Sequence, residues 1–593
     1  MAISTLLEPA LTPVDPLDPA WEDKFLSFWV RRLFWFFGLT FGLLEAVTSR
    51  FSILFPVRPA NTPNIDGVFY LDLARAFLNH DWNSVVNAYW SPLYAGLLGA
   101  GLWLARASLY WESTIAHAVN LAIFAASMAA FEFFLRELCR HRMVLSEGEG
   151  VQPLPDWAMQ MFGYSLCIYA GLVWISVAAV TPDQCVAVVI YLAGGLLLRM
   201  HREKAGWAWY ALLGVLLGVG YLIKAALFPL GLVTLAATPF LATRESVGKR
   251  LGRALVAALT FAIVASPLVV ALSHAKGRFT FGDTGKIAYA EMVDGLPGNV
   301  LWQGEGNLGT PKHPVRKIAA NPSVFEFAMP VGGTYPPWND PSYWLDGLKT
   351  RVDIGGQLHL LVGSAHAYSG FILEQGGFVV AFIALSVLDA KRYSFWREAL
   401  AAWPGWIAAV AGIGMFALVL VESRYAASFL VIAGLSGMAG IRLLPSVGTR
   451  RFVVGLAWAI AALNLFAVAS LAARNLPSSL LRPRNVQWEV AQALAHRGIR
   501  PGDTVATIID HRLGDYWAHL AGAKIVEEIP FEEMPKLAAL NQEAHATLVS
   551  TLGQPGARAI VTTPAPPEGT GFHWERLGHT DYFIASLVPG NQP

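Results

Sequence analysis

Apolar runs of span length alternate with short polar connectors along most of this chain, and their lengths predict an α-helical polytopic membrane protein of eleven transmembrane helices. Six are expected at Leu33–Phe55, Ser113–Leu138, Ala158–Val180, Gln184–Met200, Trp207–Ile223 and Ala225–Leu241. Five follow at Leu251–Ser273, Ala367–Leu388, Leu400–Val421, Tyr425–Leu444 and Phe452–Ala473. The run Pro92–Ala105 is apolar but too short for the roughly 20 residues of a crossing, so it reads as an interfacial or re-entrant helix. Charge supports leaving it out. The basic connectors are then Arg31/Arg32, Arg136/Arg140/Arg142, Arg199/Arg202/Lys204, Arg244/Lys249/Arg250/Arg253, Lys391/Arg392/Arg397 and Arg442/Arg450/Arg451. All fall on the cytoplasmic side, as the positive-inside rule asks, and counting the short run as a crossing would reverse five of these six.

The outer side then holds loops 56–112 and 274–366 and a tail beyond 473. In the first loop, Phe69, Leu73, Ala76 and Phe77 recur at helical spacing after Asp66, which predicts an amphipathic helix lying on the membrane surface. The tail changes character. A helical pattern at Val486–Leu494 precedes β-rich runs at Thr504–Ile509, Lys524–Ile529, Arg558–Thr562 and Tyr582–Leu587. Helical pieces near Tyr516 and over Pro535–Leu552 separate them, giving a small extracytoplasmic α/β domain. The expected division is a transmembrane unit, residues 1–473, and a periplasmic unit, residues 474–593, with the N-terminus cytoplasmic in a bacterial-type inner membrane.

Composition agrees with a membrane protein: 55% of 593 residues are hydrophobic, 14% are charged, and mean hydropathy is +0.46. A net charge of +1 without a basic block argues against a nucleic-acid partner. Cys139, Cys167 and Cys185 lie in or beside apolar runs and have neither disulfide-framework nor metal-ligand spacing. His274, His313, His359 and His366 share no zinc spacing, and Gly569 and Gly571 form no dinucleotide fingerprint.

Four residues at the outer ends of the spans carry the candidate chemistry. Asp66 opens the first-loop helix and Asp183 follows Thr181-Pro182 at the start of the next span; each could simply cap a helix. As a pair they could supply a general base and a partner that orients the acceptor or holds a divalent cation. Lys224 interrupts a long apolar stretch where the chain reverses, and Arg424 stands in Glu422-Ser423-Arg424-Tyr425 at another outer turn. Both read either as contacts to a lipid phosphate of a bound substrate or as a snorkelling lysine and a surface ion pair. Tyr70, Tyr94, Tyr335 and Trp338 are candidate substrate contacts, with the interfacial aromatic belt as the competing explanation.

The ordered set Asp66 to Leu78, Trp90-Ser91-Pro92-Leu93-Tyr94, Thr181-Pro182-Asp183 and Leu222-Ile223-Lys224 resembles the GT-C superfamily of membrane glycosyltransferases. Within it, the likeness is to the group of protein O-mannosyltransferases and lipid A aminoarabinose transferases, over roughly residues 30 to 445. The resemblance implies transfer of a sugar from a polyprenyl-phosphate donor to a lipid or glycan acceptor on the outer face. It implies Asp66 as catalytic carboxylate, Asp183 as second acid and Lys224 as donor-phosphate contact, with Arg424 a weaker match. It names no certain cofactor beyond a possible divalent cation. Trp90-Ser91 stands where the aminoarabinose transferases have Glu-Lys, so any contact made by that pair is not carried over. The alternative is a non-catalytic lipid-glycan binder or transporter, for which Glu45, Glu132 and Glu374 inside spans are the relevant feature.

Overall fold

The structure is a computed structural model that describes residues 19–587 apart from 54, 58–61, 65, 145–150, 204, 243–244, 328–329, 390–399, 401, 482–483, 510–514, 564 and 567–571. Lys204, Arg244, the connector Lys391/Arg392/Arg397, and Gly569 and Gly571 lie outside the described residues.

The protein is mostly helical, with one small sheet towards its C-terminus. Among the described residues, Leu109–Arg142, Asp156–Ile175, Asp183–Arg202, Val247–Lys276 and Val447–Arg474 are long and apolar enough to cross a membrane. Ile354–Glu374 and Gly376–Val387 form a further candidate, bent by 79°. The other expected crossings fall on Pro19–Thr48 and Ser423–Met438, or on the short apolar helices Trp207–Ile223, Leu227–Phe240 and Trp403–Ala417. The break between the first two short helices has a chemical origin: Lys224 leaves the helix in an extended conformation, φ −153° and ψ 125°. Trp207–Ile223 packs closely on Val247–Lys276 because Gly214 and Gly218 face it; a Cβ on Gly214 would lie 2.1 Å from the Ala257 carbonyl oxygen.

The span Asp156–Ile175 ends in a π-helical turn, Ala170–Ile175, and residues 176–182 run without helix until Asp183 opens the next span. An unwound stretch in an apolar layer needs polar partners for its backbone. Asn120 Nδ2 donates to the Val177 and Ala179 carbonyls at 3.0 and 2.8 Å, and Gln184 Nε2 donates to Gly171 O at 2.6 Å. Glu45 accepts from Ser176 Oγ and from the Val177 amide. Ser176 takes φ +76°, a strained conformation for an L residue, and so tightens the turn.

The first-loop helix, Asp66–Leu78, departs from expectation. It is not an amphipathic helix at the membrane surface: Val68, Phe69, Tyr70, Leu71, Leu73, Ala74 and Ala76 are all buried. Its sequence alternates too little for one wet face, and the helix is enclosed by Pro92–Ala105, Trp82–Val85, Pro336–Asn339 and Tyr516–Ala521.

The sheet has seven strands in the order Glu575–Arg576, Phe583–Ser586, Ala559–Thr563, Thr504–Ile509, Lys524–Glu528, Ser323–Glu326, Arg316–Ala320. The Thr504 strand pairs in parallel with both neighbours, and all other pairings are antiparallel. The four β-rich runs expected in the tail are strands, and the last two members of the sheet come from the 274–366 loop. That hairpin joins at an edge, where Phe325 and Glu326 face Glu528 and Glu527. Deleting the chain from Asn485 onward is therefore expected to leave the Arg316–Glu326 hairpin without its sheet partner and rapidly cleaved by trypsin. Limited proteolysis with mass spectrometry checks this, and an equally protected hairpin in the truncated protein would contradict the shared sheet.

Candidate active site

Asp66, Asp183, Lys224 and Arg424 converge. Arg424, at the start of Ser423–Met438, directs Nη1 to Asp66 Oδ2 at 3.0 Å and to Asp183 Oδ2 at 3.5 Å. Its Nε donates to Glu422 Oε2 at 2.7 Å and its Nη2 donates to the Tyr425 hydroxyl at 2.9 Å. Lys224 Nζ donates to Asp183 Oδ1 at 2.7 Å and lies 3.6 Å from the centre of the Tyr425 ring. A buried carboxylate with two cations is the arrangement in which desolvated charges compensate one another. Ser423 Oγ donates to the Trp174 carbonyl, which ties the Arg424 turn to the π-helical turn just before the unwound segment.

The bland readings fail at three positions. Pro182, not Asp183, occupies the helix N-cap, and the Asp183 carboxylate caps nothing. Lys224 does not snorkel, because its head is held by Asp183 and the Tyr425 ring. Arg424 does pair with Glu422, yet its side chain is 5% exposed, so this is no surface pair. Exposure separates the two acids: the Asp183 side chain is 2% exposed and that of Asp66 is 23%. Asp66 is the more exposed of the two acids.

Tyr70 and Tyr94 lie behind Asp66 on the buried side. Their rings pack edge to face at 5.0 Å, and the Tyr94 hydroxyl donates to Asn120 Oδ1 at 2.7 Å. Trp338 comes in through its backbone, its carbonyl accepting from Trp90 Nε1 at 2.9 Å, and its ring meets Tyr89 at 5.9 Å. Tyr335 is placed apart, buried against the sheet with its hydroxyl donating to Glu528 at 2.6 Å.

A metal shared by Asp66 and Asp183 does not fit these residues: the Arg424 guanidinium already faces both, and Lys224 takes the remaining oxygen of Asp183. Among the described residues no group of three or more His, Cys, Asp or Glu side chains could hold a metal ion.

Two features were invisible along the chain. Glu291, on the outer-loop helix Thr284–Met292, has a buried Oε1 without a hydrogen bond among the described residues, and burial pushes its carboxyl up to about 7. Its helix is pinned beside Tyr89, whose carbonyl accepts from Thr284 Oγ1 at 2.8 Å. Burial raises the Tyr89 hydroxyl most, and after it the charge of Glu291 and then those of Asp66, Arg424 and Glu422 act on it, so Glu291 shares the electrostatic neighbourhood of the site. The only local signal was an acid at the edge of the apolar face formed by Ile287 and Ala290.

The second feature is a clamp between the tail and the first-loop helix. Buried His519 places Nδ1 2.6 Å from Asp72 Oδ1 and Nε2 2.8 Å from Glu112 Oε2. Arg75 donates to Glu112 Oε1 at 3.0 and 3.1 Å and to the His519 carbonyl at 3.2 Å. Asp72 also accepts from the Thr334 amide and hydroxyl. An imidazole facing two carboxylates needs a proton on each nitrogen to donate to both. Burial and the Arg75 charge oppose that cation, but Glu112 and Asp72 outweigh them and hold His519 above its ordinary value.

The fold and this site together describe a mostly helical protein with several helices long and apolar enough to cross a membrane and a cluster of opposite charges at their ends. No family model matches the sequence, and no curated protein matches it. Among solved structures it is similar to ArnT from Cupriavidus metallidurans in the apo state, at 14% identity and TM-score 0.47, over 97% of this chain and 99% of that one. It is also similar to ArnT from the same organism bound to undecaprenyl phosphate, at 12% identity and TM-score 0.48, over 94% and 98%. A third likeness is to the Archaeoglobus fulgidus oligosaccharyltransferase in complex with Zn and sulfate, at 13% identity and TM-score 0.48, over 90% and 67%.

The clamp sets a pH dependence. Because the folded value of His519 lies above the unfolded one, its stabilisation is complete below about pH 6.5 and is lost as the pH rises through the folded value. Thermal unfolding followed against pH is expected to show this loss. In His519→Gln the slope disappears and stability falls by about 3–5 kcal/mol, the usual cost of leaving buried charges unmatched. An unchanged slope in the variant would rule the clamp out as its source.

Proposed function

We propose that this chain is a glycosyltransferase that moves a sugar from a polyprenyl-phosphate donor to a lipid or glycan acceptor at the outer membrane face. The observation that carries the reading is the convergence of two acids and two cations from four separate stretches of chain, with one acid left accessible. In this reading Asp66 takes the proton of the acceptor hydroxyl as its oxygen attacks the anomeric carbon. The bond from that carbon to the phosphate oxygen breaks, and the polyprenyl phosphate leaves with the electron pair. Lys224 and Arg424 meet the charge of the leaving group. Asp183 orients both cations and touches no reacting atom. No step is assigned to a divalent cation.

Tyr70, Tyr94 and Trp338 form the wall behind the sugar. We assign the eleven-crossing arrangement, a cytoplasmic N-terminus, and a periplasmic unit from residue 474 that draws on the 316–326 hairpin.

Transport gains less support. All three glutamates expected inside spans bind their neighbours: Glu45 binds Ser176, Glu132 binds Trp35 and Arg136, and Glu374 binds Tyr169 and Trp174. None is left to form a path for ions. One competing detail concerns the proton acceptor, since Glu291 has a free carboxyl oxygen and titrates near neutrality.

Incubation of membranes with polyprenyl-phosphate sugars and mass spectrometry of the products tests the whole reading. Asp66→Asn is expected to lower transfer by at least about 10²-fold with folding preserved. Normal turnover in that variant would remove Asp66 from the mechanism. Glu291 gives a distinct signature: if it were the proton acceptor, activity would rise with pH through about 7 and Glu291→Gln would abolish that rise. With Asp66 in the role, Glu291→Gln leaves the pH profile of the transfer step in place.

A further inference from the structure

At the end of the bundle away from the acid and cation cluster, the helices Pro19–Thr48, Glu112–Val144 and Asp156–Tyr169 open a groove that the transfer reaction does not use. Two adjoining cavities of about 280 Å³ and about 150 Å³ share Arg31, Asp156 and Gln160 on their walls. Along the second helix, Glu112 at the outer end and Arg136 at the groove are 24 residues apart, which is about 36 Å of helix rise and close to the thickness of a bilayer. The groove therefore sits at the level of the opposite leaflet's headgroups.

Its charge is net positive. Lys24, Arg31, Arg136 and Arg140 line the two cavities against Glu132 and Asp156, with Arg136 paired to Glu132 and Arg140 to Glu137. Asp156 is already engaged by buried Arg142. Glu132 accepts from Trp35 Nε1 at 2.8 Å and from Arg136 at 2.6 Å, so Arg31, at 3.4 Å, is its loosest partner. Lys24 makes no ion pair among the described residues. Two polar atoms in the wall, Ser27 Oγ and Gln160 Oε1, are buried without a hydrogen-bond partner. The hydroxyl can donate to a phosphate oxygen, and the amide oxygen asks for a donor such as a headgroup hydroxyl. Phe25, Phe28 and Trp29 stand exposed on the helix turn beside the groove, as aromatics do at the water interface of a membrane.

We propose that this groove binds the phosphodiester headgroup of an anionic, hydroxyl-bearing glycerophospholipid from the leaflet opposite the transfer site. Lys24 and Arg31 meet the phosphate charge with Ser27 as donor, Gln160 accepts from the headgroup hydroxyl, and the acyl chains run down the face carrying Phe25 and Trp29. Basic pockets between helices on the cytoplasmic side are a recurrent way of holding such headgroups.

The test uses the full-length purified protein in mixed micelles of neutral detergent with phosphatidylglycerol or phosphatidylcholine, and native mass spectrometry to count retained lipid. Phosphatidylglycerol is expected to be retained and phosphatidylcholine not. The double variant Lys24→Gln, Arg31→Gln is expected to weaken retention by roughly 10- to 30-fold. Because Arg31 also touches Glu132, a second variant, Lys24→Gln, Ser27→Ala, repeats the test at positions without an ion pair and is expected to weaken retention in the same direction. Equal retention in wild type and both variants, or no preference between the two lipids, overturns the proposal. Soluble glycerol phosphate is the remaining arm: if it displaces phosphatidylglycerol at equal concentration, the groove is a site for free phosphates and the lipid assignment fails.

Discussion

Arg424 is the charge around which this end of the helical bundle is organised. A guanidinium cannot remain in an apolar layer without carboxylates to meet it, and here three answer from different places in the chain. Glu422 is local. Asp66 requires the first-loop helix to start beside the Ser423–Met438 helix, and Asp183 requires the segment before its helix to unwind. Lys224 completes the set by balancing Asp183, which fixes the break between two short apolar helices. The ion pairs thus specify how four distant stretches meet, although buried pairs of this kind contribute little net stability over an apolar core.

Holding them in place takes polar side chains far from the reacting atoms. Glu45 and Asn120, both within apolar helices, bind the unwound backbone before Asp183. The His519 clamp holds the other acid: Asp72 and Arg75 lie in the second and third turns of the helix that Asp66 opens, and both are fastened to the tail. The C-terminal segment is accordingly part of what positions Asp66, and the 316–326 hairpin in its sheet ties the 274–366 connection into the same body.

The sequence exposed what depends on local pattern. Apolar run length marked the long helices, β-rich alternation marked the four tail strands, and single charges in apolar surroundings marked Asp66, Asp183, Lys224 and Arg424. It concealed what depends on who lies opposite. The first-loop helix reads as amphipathic because Phe69, Leu73, Ala76 and Phe77 recur at helical spacing, yet its polar residues Asp72 and Arg75 meet a buried clamp with His519 instead of water. The hairpin Arg316–Glu326 has no apolar alternation and becomes sheet only because Lys524–Glu528 offers an open edge. Tyr335 has the sequence context of a substrate contact, and only the fold shows its hydroxyl committed to Glu528. Glu291 carries no motif at all; its character comes from burial without a partner.

The shared guanidinium also couples the two halves of the proposed reaction. Asp66, Asp183 and Glu422 outnumber Lys224 and Arg424 by one charge, so a phosphate entering this cluster meets a surplus of negative charge that Lys224 alone does not cancel. That surplus vanishes as the acceptor's proton reaches Asp66, because the neutral acid releases its hold on Arg424 Nη1 while charge develops on the departing phosphate. Stabilisation of the leaving group then strengthens in the transition state more than in the bound donor, which is the condition for catalysis as opposed to tight binding. Asp183 has to remain charged through the same step to keep Lys224 and Arg424 aimed, and its deep burial behind them keeps the acceptor away from it.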